Sequence, residues 1–408
     1  MKKRDLTPNR IIAYLAMFFL LTIDTSFFTL ETFSGTLRLI IAIVSIAAII
    51  LTRFQKTVLS NQFFSRVKRT VSFFIISLIL PVLYGNYNMK QMIIMVVIWV
   101  VGYLVVLFVP YEEFKDIFTS IMTFLAIFSL VTFAIKLVSV NLFSWLPTIE
   151  KNGVIYYNAI FAIISSSNFT LRNFGVFWEP GAFAIFLNIA LYFELFENKF
   201  NPKRVLLFFI TIISTVSTLG IFCIFILFFA FITVNKNFIS NKIKFFVSVA
   251  AVLCLLGMLV FGDDYILQAF GKLGILEGST VNDSTNVRIN AIIYPGTAFL
   301  QNPILGVGYD DYLFIQERFC ENMATCSFLN LLCLFGLAGG LLPIIGCIRF
   351  FIINNQNFFT KCFLLGFVLL LFSTENFILC ITLYILVFYG FTKKSSKSFV
   401  KKLVWFYY

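Results

Sequence analysis

The chain has 408 residues, of which 60% are apolar and 12% charged, with a net charge of +12, no His and 55 Phe. A soluble globular protein carries roughly twice that share of charge, so a water-soluble enzyme is excluded. The apolar runs are unbroken rather than alternating, which excludes a transmembrane β-barrel.

At ~20 residues per crossing, about 245 apolar residues supply about 12 helices. The expected fold is an all-α polytopic membrane protein, a single integral membrane domain over residues 1–408. The basic start Met1–Arg10 precedes a long apolar run without a small-x-small cleavage site, so it reads as a retained first helix. Expected crossings follow at Ile11–Leu30, Leu37–Leu51, Thr70–Tyr84, Gln91–Val109, Ile117–Val138 and Pro180–Phe196. They continue at Val205–Ser217, Leu219–Val234, Phe245–Phe261, Thr325–Ile348, Lys361–Phe372 and Asn376–Phe391.

Val205–Val234 reads either as one long helix or as two joined at Ser214–Gly220. Lys and Arg gather on the cytoplasmic side of membrane proteins, and two helices put Lys199–Arg204 and Lys236–Lys244 on the same side. With the N-terminus inside, 23 of the 31 basic residues fall in cytoplasmic segments. Both termini are then cytoplasmic. The placement of the charge carries the information, and no nucleic-acid partner is expected.

Two connections are long, residues 139–179 and 262–324, and both fall outside as periplasmic or extracellular loops. The inner side has no phosphate-cradling GxxxxGK loop. Chemistry is therefore expected on the outer face.

The first outer loop runs into the sixth helix through Arg172, Gly175, Glu179, Pro180 and Gly181. Pro180 suits a first helical turn, which makes the outer end of that helix an N-terminus with unpaired N–H groups. Such an end, with Arg172 eight residues upstream, suits a phosphate or pyrophosphate. Glu179 either stabilises the helix dipole or accepts a proton. The alternative for the whole segment is an interfacial loop, with Trp178 in the aromatic belt and Arg172 snorkelling.

In the second outer loop Arg288 and Ile292 stand four apart, as in a helix lying on the membrane surface. The Gly306–Gly308 turn either lets backbone approach a ligand or simply precedes the next helix. Asp24 must face the bundle or the outer water. Glu194 and Glu197 are expected to snorkel at the inner end of the sixth helix, leaving Asp24 nearly alone as an intramembrane charge. Asp263–Asp264 and Asp310–Asp311 are either solvated or ligands for a divalent ion. Glu375, in the outer turn of the last hairpin, is within reach of the same outer cluster. Cys320 and Cys326 lie outside, six apart, a spacing that permits a disulfide without requiring one. The other Cys and the many Phe read as core and lipid-facing residues, and no resident metal or cofactor is expected.

Three stretches resemble the O-antigen polymerase and O-antigen ligase superfamily of bacterial surface-polysaccharide enzymes. Arg172, Gly175, Phe177, Glu179 and Pro180 are similar to its R-x-x-G-x-F-x-(D/E)-P segment. Asn302, Pro303, Gly306 and Gly308 resemble its N-P-turn-G-x-G, and Ser327–Gly339 its H-N-x-x-L…G-L-x-G. The match covers about residues 170–340 in order and spacing; the first 150 residues agree in hydropathy alone. The ligases' His is missing, with Thr325 and Cys326 in its place, so the resemblance points to the polymerase branch. That branch's R-x(10)-G pattern is not met either, since Ala182 and Phe183 follow Arg172 at that distance.

What the resemblance implies is a glycosyltransferase of polysaccharide biosynthesis in the bacterial cytoplasmic (inner) membrane. It would polymerise lipopolysaccharide O-antigen or capsule repeat units carried on undecaprenyl pyrophosphate, at the outer leaflet, without a cofactor. Arg172 and Arg288 would hold the pyrophosphate and Glu179 would act as base. Gly175, Pro180, Gly181, Gly306 and Gly308 would line the substrate site. A chain-length regulator and a flippase are the implied partners. The rival readings are a lipid-linked oligosaccharide flippase or other transporter, and a ligase.

Overall fold

The computed structural model describes residues 8–23, 26, 35–58, 89–151, 154–166, 171–234, 283–320, 325–354, 357–373 and 375–392; at 53–58, 89–92, 151 and 283–289 it describes the backbone alone. The helices are α1 (Pro8–Thr22), α2 (Gly35–Val58), α3 (Met89–Phe108), α4 (Tyr111–Val138), α5 (Pro180–Tyr192), α6 (Pro202–Ser214) and α7 (Thr218–Val234). They continue as α8 (Asp283–Gln301), α9 (Tyr309–Phe319), α10 (Ser327–Ile352), α11 (Phe358–Leu371) and α12 (Ile381–Thr392). Ten of the twelve expected crossings coincide with α1–α7 and α10–α12, whereas Thr70–Tyr84 and Phe245–Phe261 lie outside the described residues.

Gly35–Thr52 of α2, α4, Pro180–Glu197 and α10 are long and apolar enough to cross a membrane, and α1, α7, α11, α12 and Ile93–Phe108 are shorter apolar helices. The chain is a mostly helical, membrane-embedded protein. Local chemistry sets the helix ends. Glu112 and Glu113 open α4 and Lys136 closes it, complementing the helix dipole. Asn201 caps α6 by accepting from Lys203 N at 3.1 Å, with Pro202 in the first turn. The Val205–Val234 stretch is two helices, broken at Thr215–Ser217, where Val216 takes φ 49°.

Hydroxyls inside the helices bond the preceding turn, as hydrocarbon surroundings demand. In α4, Thr119 Oγ1 donates to Lys115 O, Thr123 Oγ1 to Thr119 O and Thr132 Oγ1 to Phe128 O, at 2.7, 2.7 and 3.1 Å. Between helices the core is aromatic, with Phe114 of α4 against Phe193 and Tyr389. Glycines set the closest crossing: a Cβ on Gly390 of α12 would land on the Gly346 carbonyl of α10.

The polar groups between helices gather at two ends. At one end, Tyr389 Oη donates to Val109 O (2.8 Å), Tyr192 Oη to Phe351 O (3.0 Å) and Lys115 Nζ to Glu197 O (2.7 Å). Asn354 Nδ2 donates to the Glu197 carboxylate at 3.1 and 3.2 Å. Glu194 is 0% exposed and pairs with Arg204 at 3.1 Å, while Asn198 Nδ2 donates to the same oxygen. The expectation that Glu194 snorkels is therefore corrected, because α5 runs on into a π-helical turn, Phe193–Glu197, that turns Glu194 inward towards α6. Asp24 lies outside the described residues, and Lys115 and Lys136, near the two ends of α4, are each 7% exposed.

The other end carries the loop before α5, and there the all-α expectation needs a second correction. That loop holds an antiparallel sheet, β1 (Thr148–Lys151), β2 (Val154–Asn158) and β3 (Ile163–Ser165), in the order β1-β2-β3. Thr148 faces Tyr157, and Tyr156 faces Ser165. The strands are too short to stand out within an apolar sequence. The sheet serves as a prop: Ile163 N donates to Gly175 O at 2.6 Å, and Ile163 packs with Phe174 beside Trp178.

Arg204→Met strips Glu194 of its cation and should destabilise the chain by about 3–5 kcal/mol, the usual cost of orphaning a buried charge. Adding Glu194→Gln should recover most of the lost melting temperature, measured on the two variants side by side in detergent. An Arg204→Met chain that melts with the parent would mean that the pair is not holding α5 to α6.

Candidate functional site

The site is built at the sheet-bearing end, around the start of α5. Pro180 is the first residue of that helix, as its sequence position implies, and Glu179 occupies the N-cap in extended conformation. The Glu179 side chain makes no capping hydrogen bond, so its carboxylate stays beside the helix terminus. A second carboxylate joins it. A Cβ placed on Gly181 would lie 2.9 Å from Glu375 Oε1 and 3.9 Å from Glu179 Oε1, which puts the two oxygens within 6.8 Å of each other. Gly181 is thus the gap through which Glu375, 9% exposed, reaches the α5 terminus.

Glu375 is delivered by the turn between α11 and α12. Ser327 Oγ, in the first turn of α10, donates to Glu375 O at 2.6 Å and accepts from Phe377 N at 2.9 Å. Asn376 Nδ2 donates to Tyr312 Oη of α9 at 3.0 Å. Burial pushes the Tyr312 hydroxyl's pKa up, so it stays protonated across the physiological range. Four elements therefore meet: the start of α5, the start of α10, α9 and the α11–α12 turn.

Arg172 is placed differently. Its Nε donates to Thr215 O at 3.1 Å, against the turn between α6 and α7. Asn173 fixes the same neighbourhood: its Nδ2 donates to Ser129 Oγ (3.2 Å) and Ser214 Oγ (3.0 Å), and its Oδ1 accepts from Gly175 N (2.9 Å). The first turn of α7 packs against the second and third turns of α5, since a Cβ on Gly220 would come within 2.7 Å of Ala184 Cβ and Asn188 Nδ2 donates to Gly220 O at 3.1 Å. Arg172 thus stands by the N-terminus of α7, while Glu179 and Glu375 stand by that of α5. Each helix presents the positive end of its dipole there. Gly175 makes the turn between them, at φ 54° with the Phe183 ring packed where a Cβ would sit.

Gly306 and Gly308 also take positive φ, 76° and 79°, but their backbone approaches protein. Val307 N donates to Cys333 O and Gly308 N to Leu334 O, while Leu337 N and Ala338 N donate to Pro303 O and Ile304 O, at 2.8 to 3.2 Å. This loop fills a break in α10 at Gly336 (φ 58°), where the helix's own ladder is interrupted. The two glycine stretches that read as separate motifs are one packing unit.

Arg288 falls on α8 as expected, with its side chain outside the described residues. Helix α8 buries Ala291 and Ala298 and leaves Ile292 and Ile293 half exposed. Asp310 and Asp311 lie in the first turn of α9, where they complement its dipole, and Asp263 and Asp264 lie outside the described residues. Cys320 and Cys326 are both free thiols. Burial pushes the Cys320 pKa up, and its Sγ lies 3.7 Å from Asn290 O.

Sequence reasoning missed Tyr312 and Asn376, which carry no pattern that separates them from ordinary helix-end residues, and took Ser327 as the start of a motif without its bonds to Glu375 and Phe377. Among the described residues no group of three or more His, Cys, Asp or Glu is placed to hold a metal. No family model matches the chain, and no curated protein or solved structure does.

Gly175→Ala should cost about 1–3 kcal/mol, as expected for a side chain forced into left-handed backbone, and lower the melting temperature. Gly181→Ala should leave melting almost unchanged, because only the flexible end of Glu375 has to move. Equal loss of stability in both would refute the open gap at Gly181.

Proposed function

We infer that the chain is a membrane glycosyltransferase of the O-antigen polymerase kind. It transfers a glycan from undecaprenyl pyrophosphate to a hydroxyl at the non-reducing end of another lipid-linked repeat unit. The observation that carries this reading is that one end of the bundle holds both the start of α5, with the Glu179–Glu375 carboxylates, and the turn before α7, with Arg172 against it. The resemblance over residues 170–340 supplies the reaction.

The chemistry divides between those groups. The acceptor oxygen attacks the anomeric carbon as the bond from that carbon to the pyrophosphate oxygen breaks, and the pyrophosphate leaves with the electron pair. Charge develops on that leaving group, so fixed positive potential there is the main requirement. Arg172 and the first turns of α5 and α7 supply it without metal or nucleotide. The acceptor hydroxyl must lose its proton, and a positioned carboxylate contributes typically ~10²–10⁴-fold to such a step. Glu179 takes that role, with Glu375 beside it to hold the acceptor. Arg288, on the helix before Gly306, is the second candidate cation for the pyrophosphate.

In this reading about 12 crossings place both termini in the cytoplasm, and the site opens to the outer leaflet of the bacterial cytoplasmic membrane, where both substrates reside. A flippase delivers the repeat units and a chain-length regulator sets the product. The transporter reading gains one point from the buried Glu194–Arg204 pair, but that pair lies at the opposite end from the carboxylates.

The test is the surface-glycan ladder of a deletion strain complemented with the intact gene or with Arg172→Ala, Arg288→Ala, Glu179→Gln or Glu375→Gln. Deletion should cap the product at one repeat unit, and Arg172→Ala and Glu179→Gln should fail to restore the ladder although the protein reaches the membrane in normal amount. Long chains that stay on the lipid carrier would identify a ligase instead. Absence of any unit at the surface would identify a flippase.

A further inference from the structure

The loop that follows α4 folds back along it. Phe161, in the turn between β2 and β3, packs its ring 5.0 Å from Phe124 and 5.6 Å from Phe128 of α4, and 5.9 Å from Phe18 of α1. Helix α4 ends at Val138, well beyond both of those phenylalanines. At about 1.5 Å of rise per residue, the turn lies roughly 15–20 Å back along α4 from the point where the loop begins.

That stretch of α4 is dressed for hydrocarbon. Every exposed residue from Phe124 to Val138 is apolar, and the charge it carries, Lys136, is buried. A hydrocarbon core is about 30 Å thick, so a point roughly 15–20 Å from one end of a crossing helix is near its middle.

The turn is composed for the same surroundings. Turns in water draw on Gly, Pro, Asn, Asp and Ser, whereas Ala159–Ala162 reads Ala-Ile-Phe-Ala. Ile160 takes φ 66°, a left-handed backbone that disfavours β-branched residues, and still leaves its side chain 68% exposed. The N–H groups around it are used inside the protein. Asn158 N donates to Pro147 O (2.8 Å), Ala159 N to Ala162 O (2.9 Å), Ile160 N to Asn158 Oδ1 (2.9 Å) and Phe161 N to Ala159 O (2.7 Å). Irregular backbone at membrane depth needs such partners, because hydrocarbon supplies none.

We propose that the β2–β3 turn is re-entrant, lying against α1 and α4 within the hydrocarbon layer, with Ile160 in contact with the acyl chains of the bilayer. The occupant is lipid because the exposed apolar side of α4 continues through Phe124 and Phe128 onto the turn. The turn carries the candidate site with it. Ile163 N donates to Gly175 O at 2.6 Å, and Asn173 Nδ2 to Ser129 Oγ of α4 at 3.2 Å, so the Arg172 loop is held at nearly the same level of that helix. The proposal needs α4 to cross the bilayer and is independent of the reaction assigned to the site.

The bilayer itself is the probe. The full chain is reconstituted in phosphatidylcholine brominated either close to the headgroup or deep in the acyl chains. Trp fluorescence is compared between the parent and Ile160→Trp, so that the 4 native Trp cancel. The added signal should be quenched more strongly by deep bromine than by shallow bromine, and iodide in the water should leave it unchanged. Iodide quenching, or stronger quenching by shallow bromine, puts the turn at the surface and overturns the proposal. An added signal that neither quencher touches overturns it too, since another part of the chain then covers residue 160. Melting in lipid nanodiscs gives a second reading. Gly and Asn both accept left-handed backbone, but only Asn brings an amide, which is costly in hydrocarbon. Ile160→Asn should therefore melt below Ile160→Gly, whereas an Asn variant that melts with or above the Gly variant, as in a turn facing water, refutes the depth.

Discussion

Hydrocarbon offers a polypeptide no hydrogen bonds, and every other feature of this chain follows from that. Backbone N–H and C=O groups must be paired within the chain, so the apolar runs become helices, and buried hydroxyls such as Thr119 and Thr132 turn back onto the preceding turn. Attraction between helices then rests on packing. Interleaved rings such as Phe114, Phe193 and Tyr389 and the close approach of Gly346 to Gly390 provide it. Polar groups that a single helix cannot satisfy are left for the two ends, where helices begin, stop and meet.

The two ends use those groups in different ways. Around Glu194, Arg204, Glu197 and Asn354, charged and amide side chains tie α5, α6 and α10 together, and the backbone is regular apart from one π-helical turn. Around Glu179 and Glu375 the chain carries strain instead. Ile160, Val216 and Cys326 all take positive φ, at 66°, 49° and 56°, next to the sheet, the Arg172 turn and Ser327 respectively. Each such residue costs of order 1–3 kcal/mol and persists because the surrounding packing leaves no alternative. One end locks the bundle, and the other holds carboxylates, a guanidinium and helix termini in positions that an unconstrained chain would not adopt.

Some of that site could be read directly. Pro180 in a first turn and Glu179 at the cap follow from the chemistry of helix starts, and the break at Ser214–Gly220 follows from charge on either side of an apolar run. Glu375 needed more: its distance to Gly181 depends on how the α11–α12 turn hangs from Ser327, almost 150 residues along the chain from α5. Gly306 and Gly308 were recognisable as special backbone, but only the break in α10 at Gly336 explains what they approach. Glu194 had the look of an interfacial charge because periodicity assumes a continuous α-helix, and the π-helical turn rotates it away from that position.

The amino-acid sequence by itself determined the solvent, the helices and the kind of residue at each terminus, since these depend on composition and on neighbours within a few positions. Tertiary structure alone decided which termini meet. It set Glu375 beside Glu179, Arg172 against the turn before α7 and the Gly306–Gly308 loop in the break of α10. Each of these pairings joins residues whose separation along the chain says nothing of their separation in space, and helix packing under the constraint of a nonpolar solvent is what brings them together.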